Sequence, residues 1–105
     1  MIYYCRGICQ VIAPDLFLMI LQVNNLLFEL VSDTGSCHEA AYMAQAIALR
    51  IAKQEGLKTV IIENTNRHVV YQLRGEWRTR RPVMRRGRDA CRALATGLDV
   101  QYRVG

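Results

Sequence analysis

Residues 36–63 read SCHEAAYMAQAIALRIAKQEGLKTVIIE, and the order of signals inside them decides the fold. Ser36 and Glu39 form the Ser-x-x-Glu pattern that opens a helix, each side chain serving a backbone N–H left free in the first turn. From His38 to Glu55 the chain is rich in alanine, and Ala40, Ala44, Ile47, Leu49 and Ile51 give it a broad apolar surface. Gly56 suits the left-handed conformation that closes a helix. Lys58 to Glu63 follows at once, and its centre, Val60-Ile61-Ile62, reads as a buried strand. A buried strand after a crossover helix is expected to run parallel to a neighbour.

Upstream of this unit the chain predicts an antiparallel meander. Ile2 to Ile12 is rich in β-branched and aromatic residues and Pro14-Asp15 supplies a turn. Leu16 to Val23 is a second strand, Asn24-Asn25 a hairpin turn and Leu26 to Ser32 a third strand, with Asp33-Thr34-Gly35 ending the run. Downstream, a short helix is expected from about Asn66 to Leu73, stopped at Gly75. Pro82 opens another that runs to about Ala95, weakened by Gly87 and ended by Gly97. Leu98 to Val104 alternates as a last strand. The expectation is a single α/β domain over residues 1–105 with one five-stranded mixed sheet, three antiparallel strands then parallel ones, and flanking helices.

Composition excludes several classes. Hydrophobic residues make up 51% of the 105-residue chain and charged ones 22%, which fits a packed domain rather than a disordered one. The most apolar run, Leu16 to Leu21, is broken by Gln22, Asn24 and Asn25, short of the roughly 18 apolar residues that cross a bilayer. With no signal-peptide pattern at the N-terminus, the expected location is cytoplasmic. Cys5, Cys9, Cys37 and Cys91 lack paired Cys-x-x-Cys spacing. A metal site of Cys5, Cys9, Cys37 and His38 is set against reduced cysteines acting as small buried apolar residues, and the second reading is preferred.

Charge is concentrated. Residues 74–92 hold eight arginines against Glu76 and Asp89, a net +6, while the rest of the chain carries −1. The planar guanidinium suits paired contacts to phosphate oxygens, and twelve of the fourteen basic residues are arginine. Arg74, Arg78, Arg80, Arg81, Arg85, Arg86 and Arg88 are therefore the candidate nucleic-acid-binding residues. Trp77, amid them, is expected in the core rather than stacked on a base. His38 is expected to be a neutral surface residue, and His68 to be a packing or solvent-facing one.

The element order and several motifs resemble type 1 ribonucleases H of the ribonuclease H-like superfamily. Ala40-Ala41-Tyr42-Met43-Ala44, ahead of Gly56-Leu57-Lys58, is similar to that family's Ala-Glu-Tyr-x-Ala and Gly-Ile/Leu-Lys stretches. Thr65-Asn66-Arg67-His68-Val69-Val70-Tyr71-Gln72-Leu73-Arg74-Gly75-Glu76-Trp77 resembles its Asp-Ser-x-x-Val-Val-x-Gln-Val/Leu-x-Gly-Glu-Tyr/Trp. Tyr4-Cys5-Arg6-Gly7 is similar to its Tyr-x-Asp-Gly strand. The resemblance implies cleavage of the RNA strand of RNA–DNA hybrids with two Mg²⁺ ions held by carboxylates. It also implies that the carboxylate positions fall on Arg6, Ala41 and Thr65, and that the family's C-terminal helix, with its last carboxylate, lies beyond Gly105. Arginine, a methyl group and a lone hydroxyl do not replace carboxylates for Mg²⁺. Glu63, on the strand face of Thr65, is the one nearby stand-in.

These readings lead to the expectation of a catalytically inactive ribonuclease H-like domain, not an enzyme, with no catalytic residues, no metal and no cofactor. It would bind duplex RNA or RNA–DNA hybrid through the arginines. The alternative is a protein-interaction or self-association module, a homodimer among them, and a divergent metal-dependent nuclease ranks last.

Overall fold

The structure, a computed structural model, describes residues 2–13, 16–23, 26–32 and 36–105, with side chains from Ser36 onward. The turns expected at Pro14-Asp15, Asn24-Asn25 and Asp33-Thr34-Gly35 lie outside the described residues, as do the side chains of Cys5 and Cys9. Three strands come first: β1 (Ile2–Ala13), β2 (Leu16–Val23) and β3 (Leu26–Ser32). Then follow α1 (Cys37–Gln54), β4 (Thr59–Asn64), α2 (Arg67–Leu73), α3 (Pro82–Leu94) and β5 (Asp99–Val104). The strands form one sheet in the order β3-β2-β1-β4-β5. β1 and β2 are antiparallel, as are β2 and β3, while β4 runs parallel to both β1 and β5.

The local signals act where they stand in the sequence. Ser36 Oγ accepts from the Glu39 N–H (3.2 Å), capping α1. Gly56, at φ +68°, follows the end of α1 in the left-handed region that residues with a Cβ rarely enter. α1 buries Ala40, Ala41, Ala44, Ala48 and Ala52 with Leu49, so small side chains let the helix lie close to its neighbours. β4 alternates: Val60, Ile62 and Asn64 are buried, and Thr59, Ile61 and Glu63 are half-buried. The core is thus the layer between the helices and one face of the sheet.

Gly87 does not merely weaken α3. A Cβ built there would lie 2.9 Å from Tyr42 Cγ, so the missing side chain is what allows α3 to approach the Tyr42 ring on α1. Tyr42 in turn donates its hydroxyl to Gln72 Oε1 (2.5 Å), joining α1 to α2. Burial pushes the Tyr42 phenol up to about 12. It pushes the Cys91 thiol up to about 12 as well, from the face of α3 turned inward. Cys91 fits the expectation of a buried apolar cysteine, whereas Cys37 is exposed because it opens α1.

Candidate nucleic-acid interface

The C-terminal end of β4 is tied to two helices by one buried amide. Asn64 Nδ2 donates to the Ala41 carbonyl (3.2 Å) and to Gln45 Oε1 (3.4 Å), both on α1. Its Oδ1 accepts from the Asn66 N–H (2.9 Å), which sets the turn into α2. Asn66 then caps α2 by accepting from the Val69 N–H (3.3 Å) and donates through Nδ2 to His38 Nδ1 (2.8 Å). The sequence marked Ser36 as a cap and placed a helix start near Asn66. It did not mark Asn64, whose partners are 23 and 19 residues away. A polar residue closing an apolar strand was the available signal.

The three positions that the motifs align with carboxylates converge here. Ala41 is fully buried on α1, its carbonyl bonded by Asn64. Thr65 is exposed, one residue beyond β4. Arg6 lies on β1 level with Glu63 of β4, and Glu63 is level with Arg103 of β5. The groups described at this end, the Glu63 carboxylate beside two arginine positions, an Asn64 amide already committed on both atoms and one threonine hydroxyl, are a poor fit to magnesium ions, which take several oxygen ligands. Among the described residues no three His, Cys, Asp or Glu side chains are grouped to hold a metal.

Beside this end lies an aromatic and basic surface. His38 and His68 meet edge to face with ring centroids 4.8 Å apart, and His68 meets Trp77 in the same way at 5.1 Å. Tyr71 stands 4.8 Å from Trp77. Trp77 is 45% exposed, which corrects the expectation that it belongs to the core. The physical reason is the turn that follows α2. Gly75, at φ +80°, turns the chain back, and the Trp77 N–H bonds the Tyr71 carbonyl (3.2 Å), so the indole lies over the outside of α2.

The arginines divide by what already holds them. Arg74 pairs with Glu76 (3.4 Å) and lies over the Tyr71 ring. Half-buried Arg88 pairs with Asp89 (3.0 Å). Arg85 donates to the Thr79 carbonyl (2.9 Å), and Arg92 to the Gln72 carbonyl (3.4 Å). Arg78, Arg80, Arg81 and Arg86 are exposed with no such partner among the described residues. Arg78, Arg80 and Arg81 line one open depression of about 250 Å³ with His38, His68, Gln72 and Met84. The structure therefore brings three of the candidate arginines to the end of β4 and sets Arg86 on the outer side of α3.

An α/β domain with this topology, and with this site at the end of β4, is ribonuclease H-like. Residues 19–100 match the family described as reverse transcriptase-like, and the chain belongs to that family. Ribonuclease H1 of the halophilic archaeon Halobacterium salinarum NRC-1 is similar in fold, with 20% identity and a TM-score of 0.80 over 100% of this chain and 84% of that one. The N-terminal ribonuclease H domain of a Mycobacterium tuberculosis protein has 13% identity and a TM-score of 0.84, over 99% and 81%. LC11-RNase H1, solved in complex with an RNA/DNA hybrid, has 12% identity and a TM-score of 0.76, over 99% and 83%. A search of curated proteins finds no significant match. The matched structures are ribonucleases H, which are enzymes, and this overturns the expectation that the chain is not an enzyme. That expectation weighed side-chain identities alone. Among the described residues no helix is long and apolar enough to cross a membrane.

Proposed function

We propose that this ribonuclease H-like domain binds a nucleic-acid duplex, RNA–DNA hybrid or duplex RNA, through its arginine-rich segment. The observation that carries the reading is the convergence of Arg78, Arg80 and Arg81, without a side-chain partner among the described residues, with His38 and His68 beside the end of β4. Guanidinium groups not already committed to protein partners keep their donors for phosphate oxygens. Exposed Trp77 offers an aromatic face to a sugar or base next to them. A relative of the same fold was solved with an RNA/DNA hybrid, which favours duplex over other polyanions. Within the segment, Arg78, Arg80, Arg81 and Arg86 carry the contacts. Arg74, Arg85 and Arg88 chiefly hold the surface in shape through their own carboxylate and carbonyl partners.

The test is fluorescence anisotropy of labelled hybrid, duplex RNA and single strands against the parent chain and an Arg78→Gln, Arg80→Gln, Arg81→Gln variant. Tighter binding of duplexes than of single strands, weakened at least tenfold in the variant, is the expected result. No binding by the parent at moderate salt, with capture of a specific protein lost in the variant, would move the function to protein interaction. Cleavage of the same hybrid with Mg²⁺ is scored separately, since binding by arginines does not depend on it.

A further inference from the structure

β5 is an edge strand, and its outward side carries a pattern that matches itself. Among the described residues β4 is the strand bonded to β5. The Asp99 N–H donates to the Lys58 carbonyl (2.7 Å) and the Gly105 N–H to the Asn64 carbonyl (2.9 Å), so odd-numbered residues turn their main chain toward β4. Main-chain groups in a parallel pair alternate sides, so Val100, Tyr102 and Val104 point theirs away from the sheet. Such an edge, with donors and acceptors in a row, is a template for another strand. Val104, at its end, is an exposed large apolar residue, 38% accessible.

We propose that the outer edge of β5 pairs antiparallel with β5 of a second copy of this chain, about a two-fold axis at Gln101. In this register Val100 and Tyr102 of opposite copies exchange both main-chain bonds, using the groups that point outward. Gln101 faces its counterpart. Asp99 then stands opposite Arg103 of the other copy, and by symmetry the pair occurs on both sides of the axis. Residues 99, 101 and 103 are exposed on one face of the strand, so these opposite charges share a face. They also fall at non-hydrogen-bonded positions, where facing side chains come closest. The neighbouring register, centred on Tyr102, sets Gln101 against Arg103 and forgoes both ion pairs. Charges that ordinarily keep an edge strand from pairing thus become attractive for this one partner.

Space for the second strand is present. A depression of about 660 Å³ runs beside β5, lined by Leu73, Arg74 and Glu76 on one side and by Val100 to Arg103 on the other. Tyr102 of the second copy, opposite Val100, would enter it. Arg103 donates to Gln101 within its own strand (3.1 Å), an exposed contact that turns over to Asp99 of the second copy at little expense.

Sedimentation velocity of the chain over a range of concentrations tests the proposal. The parent is expected to dimerise reversibly. Arg103→Asp alone, or Asp99→Arg alone, sets like charges opposite each other twice and should raise the dimer Kd about tenfold or more. Combining Asp99→Arg with Arg103→Asp should restore it. Val100→Pro removes an outward-pointing donor while leaving the β4 bonds in place, since proline is tolerated on the open side of an edge strand. It should abolish the dimer with the circular dichroism unchanged. A parent that stays monomeric throughout, a dimer indifferent to the single charge reversals, or a double reversal that fails to restore it overturns the proposal.

Discussion

The packed stretch from Ser36 to Asn64 and the basic stretch from Arg74 to Arg92 pack together through α1 and α3, yet they are built on opposite terms. In the first, small side chains close the distance between layers, and the buried Asn64 amide is bonded on both of its polar atoms. In the second, α3 buries Met84 and Cys91 and leaves its other arginines, Arg88 apart, to solvent. The first region commits the Asn64 amide to internal partners, though Gln45 Nε2 is left without one among the described residues, and the second keeps donors in reserve on its surface. The difference teaches that fold and affinity reside in separable residues, so a substitution should disturb one with little effect on the other.

The largest separation is expected at alkaline pH. Tyr42 and Tyr102 are raised from 10.0 to about 12 by burial, and Cys91 from 9.0 to about 12. Each is held neutral in the fold, so the folded chain keeps these protons while the unfolded chain has lost them. Stability is therefore intact below pH 9 and falls as pH rises from about 9 to 12. Urea unfolding monitored across that range should show the decline. Cys91→Ala should flatten its first part. Unchanged urea midpoints to pH 12 would mean the packed layer is not closed to water.

Next in size is Asn64→Leu. It leaves the Gln45 Oε1 and the Asn66 N–H without their Asn64 partner and removes the second donor from the helical Ala41 carbonyl, at a cost of about 3 kcal/mol, each buried unpaired group being worth about 1–3 kcal/mol. Urea unfolding measures it, and duplex binding by the fraction that remains folded should be unaltered.

Gly87→Ala follows. Alanine in place of a mid-helix glycine contributes about 1 kcal/mol of propensity, but the clash with Tyr42 costs about 1–3 kcal/mol. A net loss of about 1 kcal/mol is expected in the thermal midpoint. A gain would show that α3 rides freely over α1.

How legible this contrast was in the sequence depended on range. Ser36, Gly56, Pro82 and Gly97 act on the backbone beside them, and the helix boundaries could be read from them. The ribonuclease H-like class was legible because its motifs lie in short runs around Ala41 and Thr65. Asn64 was not, because its bonds to α1 exist only after the chain has crossed over. Gly87 reads as a weak helix residue until Tyr42 is placed beneath it. Trp77 was misread although the end of α2 was read correctly, because the turn after it, at Gly75 and closed by the Trp77 N–H on the Tyr71 carbonyl, carries the indole over the outside of α2. The charge of residues 74–92 was plain. Which arginines are already engaged was not, since Arg85 and Arg92 are held by carbonyls that no pattern of residue types announces.

The smallest effect on stability belongs to the arginines. Replacing Arg78, Arg80, Arg81 and Arg86 by Gln should change unfolding free energy by less than about 0.5 kcal/mol, as exposed positions do. A larger loss, measured by urea unfolding, would make the basic surface part of the fold.

The same variant decides the central claim through the salt dependence of duplex binding. Each phosphate neutralised releases counterions, so log affinity falls with log salt by about 0.9 per contact on a duplex. The parent should show a steep negative slope. The variant should bind more weakly for every sequence and with a slope flattened by roughly three. Equal affinity and equal slope in parent and variant would contradict the account, and would place any nucleic-acid contact elsewhere on the molecule.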